Sequence, residues 1–550
     1  MNSLLKVNRP IQYLGKEFNL LIQSFSRDKL SFCLCYPHLY QVGMSSLGFR
    51  IIYGLLKSFD DIFTDRCFLP AQDYEETFLK EVPLSSLENK VPLKEFDVLG
   101  FSINYEIDYF NFLHMLHLSR ICPIATQRRK PIIIVGGVIN PEPLSEFVDI
   151  FVIGDGEPVL RPLIEILKRW KRTAKNIREF VRELSNLEGV YLPNYYIRVE
   201  NNLHPKIDSL PSFIKKSSVK NLDESFFPIK WLVPYTEIVH DRVSIEVMRG
   251  CPHRCKFCQA TIQYYPLRIR SKEKVIDLVK ECYKNTGYEE FSLHSLSAGD
   301  YPFLKEVILQ LKDFFKNRAV NISLPSLRPT PLVKDVCMIL SSLRKPSLTF
   351  APESFSPKIQ KFIGKYISFS SIEEFIKFAQ ELFYTHIKLY FMIGLPIEEI
   401  EDIDYNIDCI LRLTKVIRRN LKIHLSFSIF VPKPLTPLQN YPQLSPYVLS
   451  KRILYIKEKL QCNKYLRTSF HNPFKSFLET YLSRGDRKVS LWMYNFYNRM
   501  KRSSLQMRFN EEEFLLWRQL GEELGINVES YVLNELSSPE QLYWNYIKID

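Results

Sequence analysis

The sequence predicts an α/β protein in which an open parallel sheet precedes a partial (β/α)6 barrel and a mainly helical C-terminal region. Short apolar segments alternate with helix-compatible segments over residues 30–170, and the same strand-then-helix alternation recurs from 241 to about 440. Periodic apolar residues in 447–460 and 511–524 indicate helices. The predicted units are an N-terminal extension (1–29), a first α/β domain (30–170), a connector (171–240), a barrel (241–440) and a helical C-terminal region (441–550).

The length and composition are those of a well-packed protein with several domains. The chain has 550 residues, of which 46% are hydrophobic, and this excludes a disordered protein. The net charge of +13 admits a polyanionic partner such as RNA, although acids are mixed among the bases, as on solvated helix faces. The odd count of 11 cysteines favours a reducing compartment, and no signal peptide or membrane-length apolar run is visible. We therefore expect a cytoplasmic protein.

Three of the four strands predicted in the first domain end in loops of small or polar residues. The strands are expected at residues 30–36, 98–102, 131–135 and 150–153. Ser102 ends the second strand, Gly136 and Gly137 follow the third, and residues 154–157 follow the fourth. Ligands of open α/β sheets bind at the carboxyl ends of the strands, so these loops are expected to line one pocket. Alternatively, the glycines only make tight turns.

The first predicted barrel strand, residues 241–248, leads into a loop with three cysteines, Cys251, Cys255 and Cys258. The C-x3-C-x2-C spacing, with no fourth cysteine nearby, favours a [4Fe–4S] cluster whose fourth iron has no protein ligand. A zinc site with His253 as the fourth ligand is cramped, and a redox disulfide needs only two cysteines. The five later strands are expected at 290–296, 320–324, 347–351, 387–392 and 423–431.

The cysteine motif, with Phe257 before the last cysteine, resembles that of the radical S-adenosylmethionine (SAM) enzymes. The resemblance implies that Cys251, Cys255 and Cys258 hold a [4Fe–4S] cluster that binds SAM at its open iron. One electron, from a donor such as flavodoxin or ferredoxin, then cleaves SAM to methionine and a 5′-deoxyadenosyl radical that abstracts hydrogen from the substrate. It also implies an oxygen-sensitive protein.

Turns at the ends of the second, fourth and fifth barrel strands resemble the SAM-binding turns of the same family. The resemblance implies that SAM is contacted by Gly299, Asp300, Glu353, Ser354, Gly394 and Pro396. Each turn taken alone is also ordinary punctuation between a strand and a helix. Asp300 and Glu353 have the further alternative of capping or beginning a helix.

The loops of the first domain resemble those of the cobalamin-binding domain that precedes the barrel in many radical SAM proteins. The matching positions are Ser102, Gly136, Gly137, Gly154, Gly156 and Glu157. The chain lacks the D-x-H-x-x-G motif of base-off, histidine-ligated cobalamin, and His38 is interpreted as a loop or packing residue. The resemblance therefore implies a Rossmann-like, cobalamin-binding-type domain and leaves cobalamin binding itself open.

The turn at residues 482–487 resembles one in an incompletely characterised radical SAM group with a cobalamin-like N-terminal domain. His471, Arg484 and Asp486 are candidates for the barrel mouth, although a helix end at Gly485 explains the turn without any substrate. The resemblance spans residues 30 to 500 and implies a radical SAM enzyme. If cobalamin binds, methyl transfer to an unactivated carbon is the leading reaction.

Two alternatives stay open at this point. One is sulfur insertion or rearrangement without cobalamin, and the other is a non-catalytic iron–sulfur or RNA-binding scaffold. The sequence identifies neither the substrate nor a catalytic residue.

Overall fold

The computed structural model describes residues 4–173, 176–199, 202–341, 348–418, 420–536 and 542–549. Its strands are β1 (Leu30–Tyr36), β2 (Ile62–Phe68), β3 (Val98–Ser102), β4 (Ile132–Gly136), β5 (Ile150–Val152), β6 (Val190–Tyr191), β7 (Tyr196–Val199), β8 (Asn202–Pro205), β9 (Ile214–Lys215), β10 (Val243–Glu246), β11 (Met248–Arg249), β12 (Arg268–Ile269), β13 (Glu290–His294), β14 (Asn321–Ser323), β15 (Leu348–Glu353), β16 (His386–Ile393), β17 (Lys422–Ile429), β18 (Leu466–Phe470) and β19 (Ile547–Lys548).

The helices of the described ranges cover the sheets. They are α1 (Tyr40–Gly43), α2 (Leu47–Lys57), α3 (Gln72–Tyr74), α4 (Asp108–Leu118), α5 (Glu157–Thr173), α6 (Ile177–Ser185), α7 (Gln259–Gln263), α8 (Lys272–Thr286), α9 (Leu304–Phe314), α10 (Pro331–Ser341), α11 (Pro357–Ile363), α12 (Phe369–Glu381), α13 (Ile400–Lys415), α14 (Pro446–Leu460), α15 (Pro473–Ser483), α16 (Arg487–Met500), α17 (Glu511–Glu523) and α18 (Val528–Leu533). Each of them is too short or too polar to cross a bilayer.

The first sheet has the strand order β2-β1-β3-β4-β5-β6. Strands β1 to β5 are parallel, and the short β6 pairs antiparallel with β5. The central strands are apolar along nearly their whole length because helices cover both faces of the sheet. The order reverses between β1 and β3, and such a switch point opens a crevice at the carboxyl ends of the strands.

The barrel consists of two parallel sheets, β10-β13-β14 and β15-β16-β17-β18, with no hydrogen-bonded ladder between them in the described part of the chain. The six predicted barrel strands are present, and β18 adds a seventh that the sequence did not reveal. On β16, Ile387, Leu389 and Phe391 pack in the core with the surrounding helices. Because side chains alternate along a strand, Lys388 and Tyr390 lie on the opposite, concave face. The predicted α/β fold with an open barrel is confirmed.

The helices that follow α14 pack on the first sheet rather than on the barrel. Trp492 of α16, Trp517 of α17 and Trp544 belong to the same core as β1 to β6. The carboxylate of Glu142 accepts hydrogen bonds from Tyr546 at 2.7 Å and from Arg487 at 2.9 Å. Most of the region after residue 460 therefore covers the first domain.

Candidate active site

The three cysteines lie on one short loop between β11 and α7, beyond the carboxyl end of the first barrel strand. Each is partly exposed. The Cys255 amide donates to the His253 carbonyl at 2.9 Å, and the Cys258 amide donates to the Cys255 carbonyl at 3.1 Å. The amide of Lys256 donates to the carbonyl of Ile363, at the end of α11, at 2.9 Å. The loop is thus folded on itself and attached to the segment that follows the fourth barrel strand.

Cationic side chains surround the thiols. The guanidinium of Arg328 lies 3.8 Å from the Cys255 sulfur. Burial raises the pKa of Cys255, while Lys365 and Arg328 act in the opposite direction. A thiol ligates metal as the thiolate, so these cations favour ligation and balance the negative charge of bound thiolates.

The side chain of His253 interacts with a carboxylate of another turn. Its Nε2 lies 2.7 Å from a carboxylate oxygen of Asp300, which also accepts the Ser297 hydroxyl at 2.5 Å. Among the described residues, no three His, Cys, Asp or Glu side chains converge as ligands of one metal ion would. A cubane is bound at separate irons and needs no such convergence. The contact of His253 with Asp300 connects the cysteine loop to the turn of Gly299 and Asp300.

The turn after the fourth barrel strand also contacts the cysteine loop. Glu353 has a left-handed backbone (φ 63°), is buried, and forms a 2.8 Å ion pair with Lys365. Burial raises the pKa of Glu353 and Lys365 opposes this shift. The Lys365 ammonium lies 5.8 Å from the centre of the Phe257 ring. Glu353 does not cap α11, because Ser356 does.

Ser354 has a different role from its neighbour. Its side chain is fully buried, and its hydroxyl is hydrogen bonded to Asn406 of α13 at 3.1–3.2 Å. The structure therefore uses this hydroxyl to join the turn to α13.

The turn after the fifth barrel strand packs beside the same loop. Gly394 has φ 78°, and its amide donates to Glu398 at 2.7 Å. Leu395 and Ile397, on either side of Pro396, share a small apolar cluster with Phe257. All three predicted SAM turns thus lie near the cysteine loop: the first through the contact of His253 with Asp300, the second through Lys365, and the third in the apolar cluster that includes Phe257.

A cavity of about 710 Å³ lies between the first sheet and the barrel. The six predicted first-domain positions all line it: Ser102, Gly136, Gly137, Gly154, Gly156 and Glu157. From the barrel side it is lined by residues that the sequence did not single out, among them Glu246, Arg249, Tyr264 and His294. His38 is not in this lining, and its Nδ1 accepts the Leu39 amide at 2.8 Å, in agreement with a loop role.

The glycines of the cavity serve two purposes. A Cβ on Gly137 would lie 2.4 Å from the Ile103 carbonyl oxygen, and one on Gly154 would lie 2.2 Å from that of Ser217. Their φ angles of 96° and 103° also require glycine, so backbone packing explains both. A Cβ on Gly136 would meet nothing nearer than 3.8 Å. The space beside Gly136 is therefore part of the cavity and allows a ligand to approach the backbone.

Arg249 joins the two domains beside the cysteines. Its guanidinium pairs with Asp155 at 3.2 Å, Glu157 at 2.8 Å and Glu246 at 2.9 Å, and all four side chains are buried or nearly so. These carboxylates raise the pKa of Arg249 despite its burial. Only Gly250 separates Arg249 from Cys251, so the position of the loop is coupled to the floor of the cavity. Arg249 lies two residues before Cys251 in the sequence, but its three carboxylate partners are apparent only in the folded structure.

The C-terminal candidates do not line the cavity. Arg484 donates to main-chain carbonyls, including that of Asn534 at 3.1 Å, and burial lowers the pKa of Arg484 to about 10. Asp486 caps α16 and accepts the Tyr531 hydroxyl. His471 follows β18, with its amide bonded to the Phe427 carbonyl. Helix ends thus account for the turn between α15 and α16, and the placement of these three residues at the barrel mouth stays a prediction.

The fold and the site together define an α/β protein with a three-cysteine loop at the mouth of an open barrel. Residues 48–193 match the family model described as radical SAM proteins, N-terminal, and residues 245–410 match that of the radical SAM superfamily. The chain belongs to the radical SAM superfamily and is a radical SAM enzyme.

Several known proteins are similar to the chain. An uncharacterized protein of Methanocaldococcus jannaschii is 28% identical over 84% of this chain and 90% of its own length. An uncharacterized methyltransferase of Pyrococcus horikoshii is 26% identical over 54% of this chain and 58% of its own. The structure of OxsB, a cobalamin-dependent SAM radical enzyme with aqua-cobalamin and SAM bound, matches with a TM-score of 0.50 at 12% identity, covering 94% of this chain and 79% of OxsB. This last similarity concerns the fold.

Proposed function

We propose that the protein cleaves SAM reductively at a [4Fe–4S] cluster held by Cys251, Cys255 and Cys258. When bound, the cluster supplies the electron that yields methionine and a 5′-deoxyadenosyl radical, which removes a hydrogen atom from the substrate. The observation that carries the proposal is that all three SAM-type turns lie near the cysteine loop, linked to it by His253, by Lys365 and by the apolar cluster that includes Phe257. An external reductant is required, and flavodoxin or ferredoxin in the cytoplasm is the proposed donor.

The residues of the turns have separate proposed tasks. Gly299 and Asp300 approach the amino group of SAM, and the Asp300 carboxylate is kept in place by His253. Glu353 lies beside the ribose and methionine portions with its charge balanced by Lys365. Gly394 and Pro396 form the turn beside the adenine, held by the Glu398 carboxylate. Ser354 supports this arrangement through Asn406.

We further propose that the interdomain cavity binds cobalamin and that the reaction is methyl transfer to an unactivated carbon. When bound, cobalamin supplies the methyl group. The open space at Gly136 and the cavity at the switch point of the sheet support this proposal. The names of two similar proteins, a methyltransferase and a cobalamin-dependent enzyme, point the same way.

An anaerobic titration with hydroxocobalamin, followed by absorbance, tests the cofactor. Saturable one-to-one binding that Gly136→Val abolishes supports methyl transfer. Failure to bind at saturating cobalamin removes methyl transfer and leaves sulfur insertion or rearrangement at the same barrel. A protein that holds the cluster but yields no 5′-deoxyadenosine with SAM and dithionite would instead be a scaffold.

A further inference from the structure

The concave face of the second barrel sheet carries a row of three basic residues on adjacent strands. In the parallel register, Lys388 of β16 is paired with His424 of β17, and His424 with Arg467 of β18. Neighbouring strands are about 4.8 Å apart, so the three side chains emerge side by side. Thr349 of β15 is paired with Lys388 and completes the row with a hydroxyl.

None of the three basic side chains forms an ion pair with a carboxylate of the described residues. The charged groups that act on His424 are both cations, Lys388 and Arg467, and together with burial they lower the pKa of His424. The Lys388 ammonium lies 4.5 Å from the centre of the Tyr390 ring. Two other partly buried bases of the barrel do have carboxylate partners: Lys365 pairs with Glu353 and Arg242 with Glu290. The row is therefore a local excess of positive charge.

His424 has a ring nitrogen available for a ligand. Its Nε2 lies 3.1 Å from the hydroxyl oxygen of Ser469, and that hydroxyl donates to the Leu425 carbonyl at 3.4 Å. Nε2 is therefore the donor, and Nδ1 is the acceptor of the neutral ring, so Nδ1 can donate to an anionic ligand only after it takes up a proton. The exposure of Arg467 and the partial exposure of Lys388 and His424 make the row accessible from the open side of the barrel.

The polarity of this face is unusual for a barrel interior. The inner layers of (β/α)8 barrels are dominated by bulky branched residues such as Val, Ile and Leu. Here the next inward positions are Tyr390, Ser426 and Ser469, paired across the same three strands. Hydroxyl groups and cations without a carboxylate partner among the described residues line this face, so apolar packing does not fill it. Such a face suits a polar, negatively charged ligand.

We propose that Lys388 and Arg467, with His424 protonated at Nδ1 between them, bind an oxyanion group, phosphate or carboxylate, of the substrate. The proposal rests on the proposed function, since it places the substrate in the barrel beneath SAM. Thr349 precedes Glu353 by four residues, a rise of about 13 Å along a strand. The row therefore lies well below the Glu353 turn along the strand, and the substrate class is an elongated small molecule with an anionic group at one end.

Calorimetric titration of the full-length protein measures anion binding at the row of basic residues. It needs neither SAM nor reductant, so its outcome is independent of the radical reaction. The probes are sodium pyrophosphate and citrate, which represent the phosphate and carboxylate sources. We expect one site for at least one probe, with affinity reduced about tenfold in Lys388→Gln and in Arg467→Gln, since each removes a charge-assisted hydrogen bond of about 1.5 kcal/mol.

Lys459→Gln is the matched control, because Lys459 is an exposed base on α14, outside the barrel. It should bind both probes as the wild type does, and circular dichroism should show that all three variants are folded. Two outcomes would overturn the proposal: no binding of either probe, or equal weakening by Lys459→Gln.

Discussion

Replacing Arg249 by methionine removes the one guanidinium that three carboxylates share at the domain boundary. In the wild type, Asp155, Glu157 and Glu246 face two guanidinium groups, those of Arg249 and Arg268. In Arg249→Met the same three carboxylates face only one. Removing one partner of a buried ion pair costs about 3–5 kcal/mol, because the remaining charge has neither water nor a counterion.

The loss should appear as a lower melting temperature. For domains of this size each kcal/mol shifts the midpoint by about 2–4 °C, so Arg249→Met should melt about 6–20 °C lower. Scanning calorimetry of the anaerobically purified chain measures this shift. The matched control is Arg169→Met, whose partner Glu183 is exposed (57% and 37% for the two side chains), with an expected cost of about 0–1 kcal/mol.

A double variant shows whether the carboxylates are the cause. Adding Glu157→Gln to Arg249→Met removes one uncompensated charge, so part of the lost stability should return, and the two changes should not be additive. A melting temperature of Arg249→Met within about 2 °C of the wild type would refute the argument, since the network would then behave as a screened surface pair.

Three further predictions follow from the site. Changing Cys251, Cys255 or Cys258 to serine should each reduce the iron and sulfide bound after reconstitution, whereas the exposed Cys462→Ser should retain both; equal retention in all four would contradict the ligand assignment. Gly136→Ala should fold normally and weaken hydroxocobalamin binding. Gly137→Ala should instead lower the melting temperature, because of these two glycines only Gly137 has a positive φ and a carbonyl oxygen 2.4 Å from the new Cβ. The reverse pattern would contradict the cavity assignment. Burial raises the pKa of Glu398 to about 7, so between pH 4.5 and 7 the folded protein keeps a proton on this carboxyl that the unfolded chain has released. The melting temperature of the wild type should therefore fall, relative to that of Glu398→Gln, as the pH rises from 4.5 to 7. Parallel pH profiles of the two melting temperatures would contradict this.

The barrel strands were predictable because their local pattern is strong. In each of them apolar residues alternate or form a short run next to a helical segment, and six were predicted from this pattern.

Strand β2 of the first sheet was missed because Asp65 and Arg66 lie at its centre and give it the appearance of a polar loop. Both are buried: the Asp65 carboxylate accepts the Glu88 and Asn89 amides at 3.0 Å, and Arg66 pairs with Glu17 and Glu88. These partners are distant in sequence, so no local signal reveals them.

The residues of the candidate site could be predicted from the sequence only where they belong to a local motif. The cysteines, the strand-end turns and the glycine loops are local patterns, and the fold brings them to the barrel mouth and one cavity. Arg249 pairs with a carboxylate of another domain, and His294 lines the interdomain cavity. Neither relation is visible in the local sequence. The basic row of Lys388, His424 and Arg467 depends on the register of three strands, which the separate segments do not specify.

The central claim is reductive cleavage of SAM by this chain. After anaerobic reconstitution with iron and sulfide, the protein is mixed with SAM and dithionite, and 5′-deoxyadenosine and methionine are quantified by liquid chromatography. We predict equimolar formation of the two products by the wild type and none by Cys255→Ser. A cluster-loaded wild-type protein that binds SAM but forms no 5′-deoxyadenosine would contradict the account.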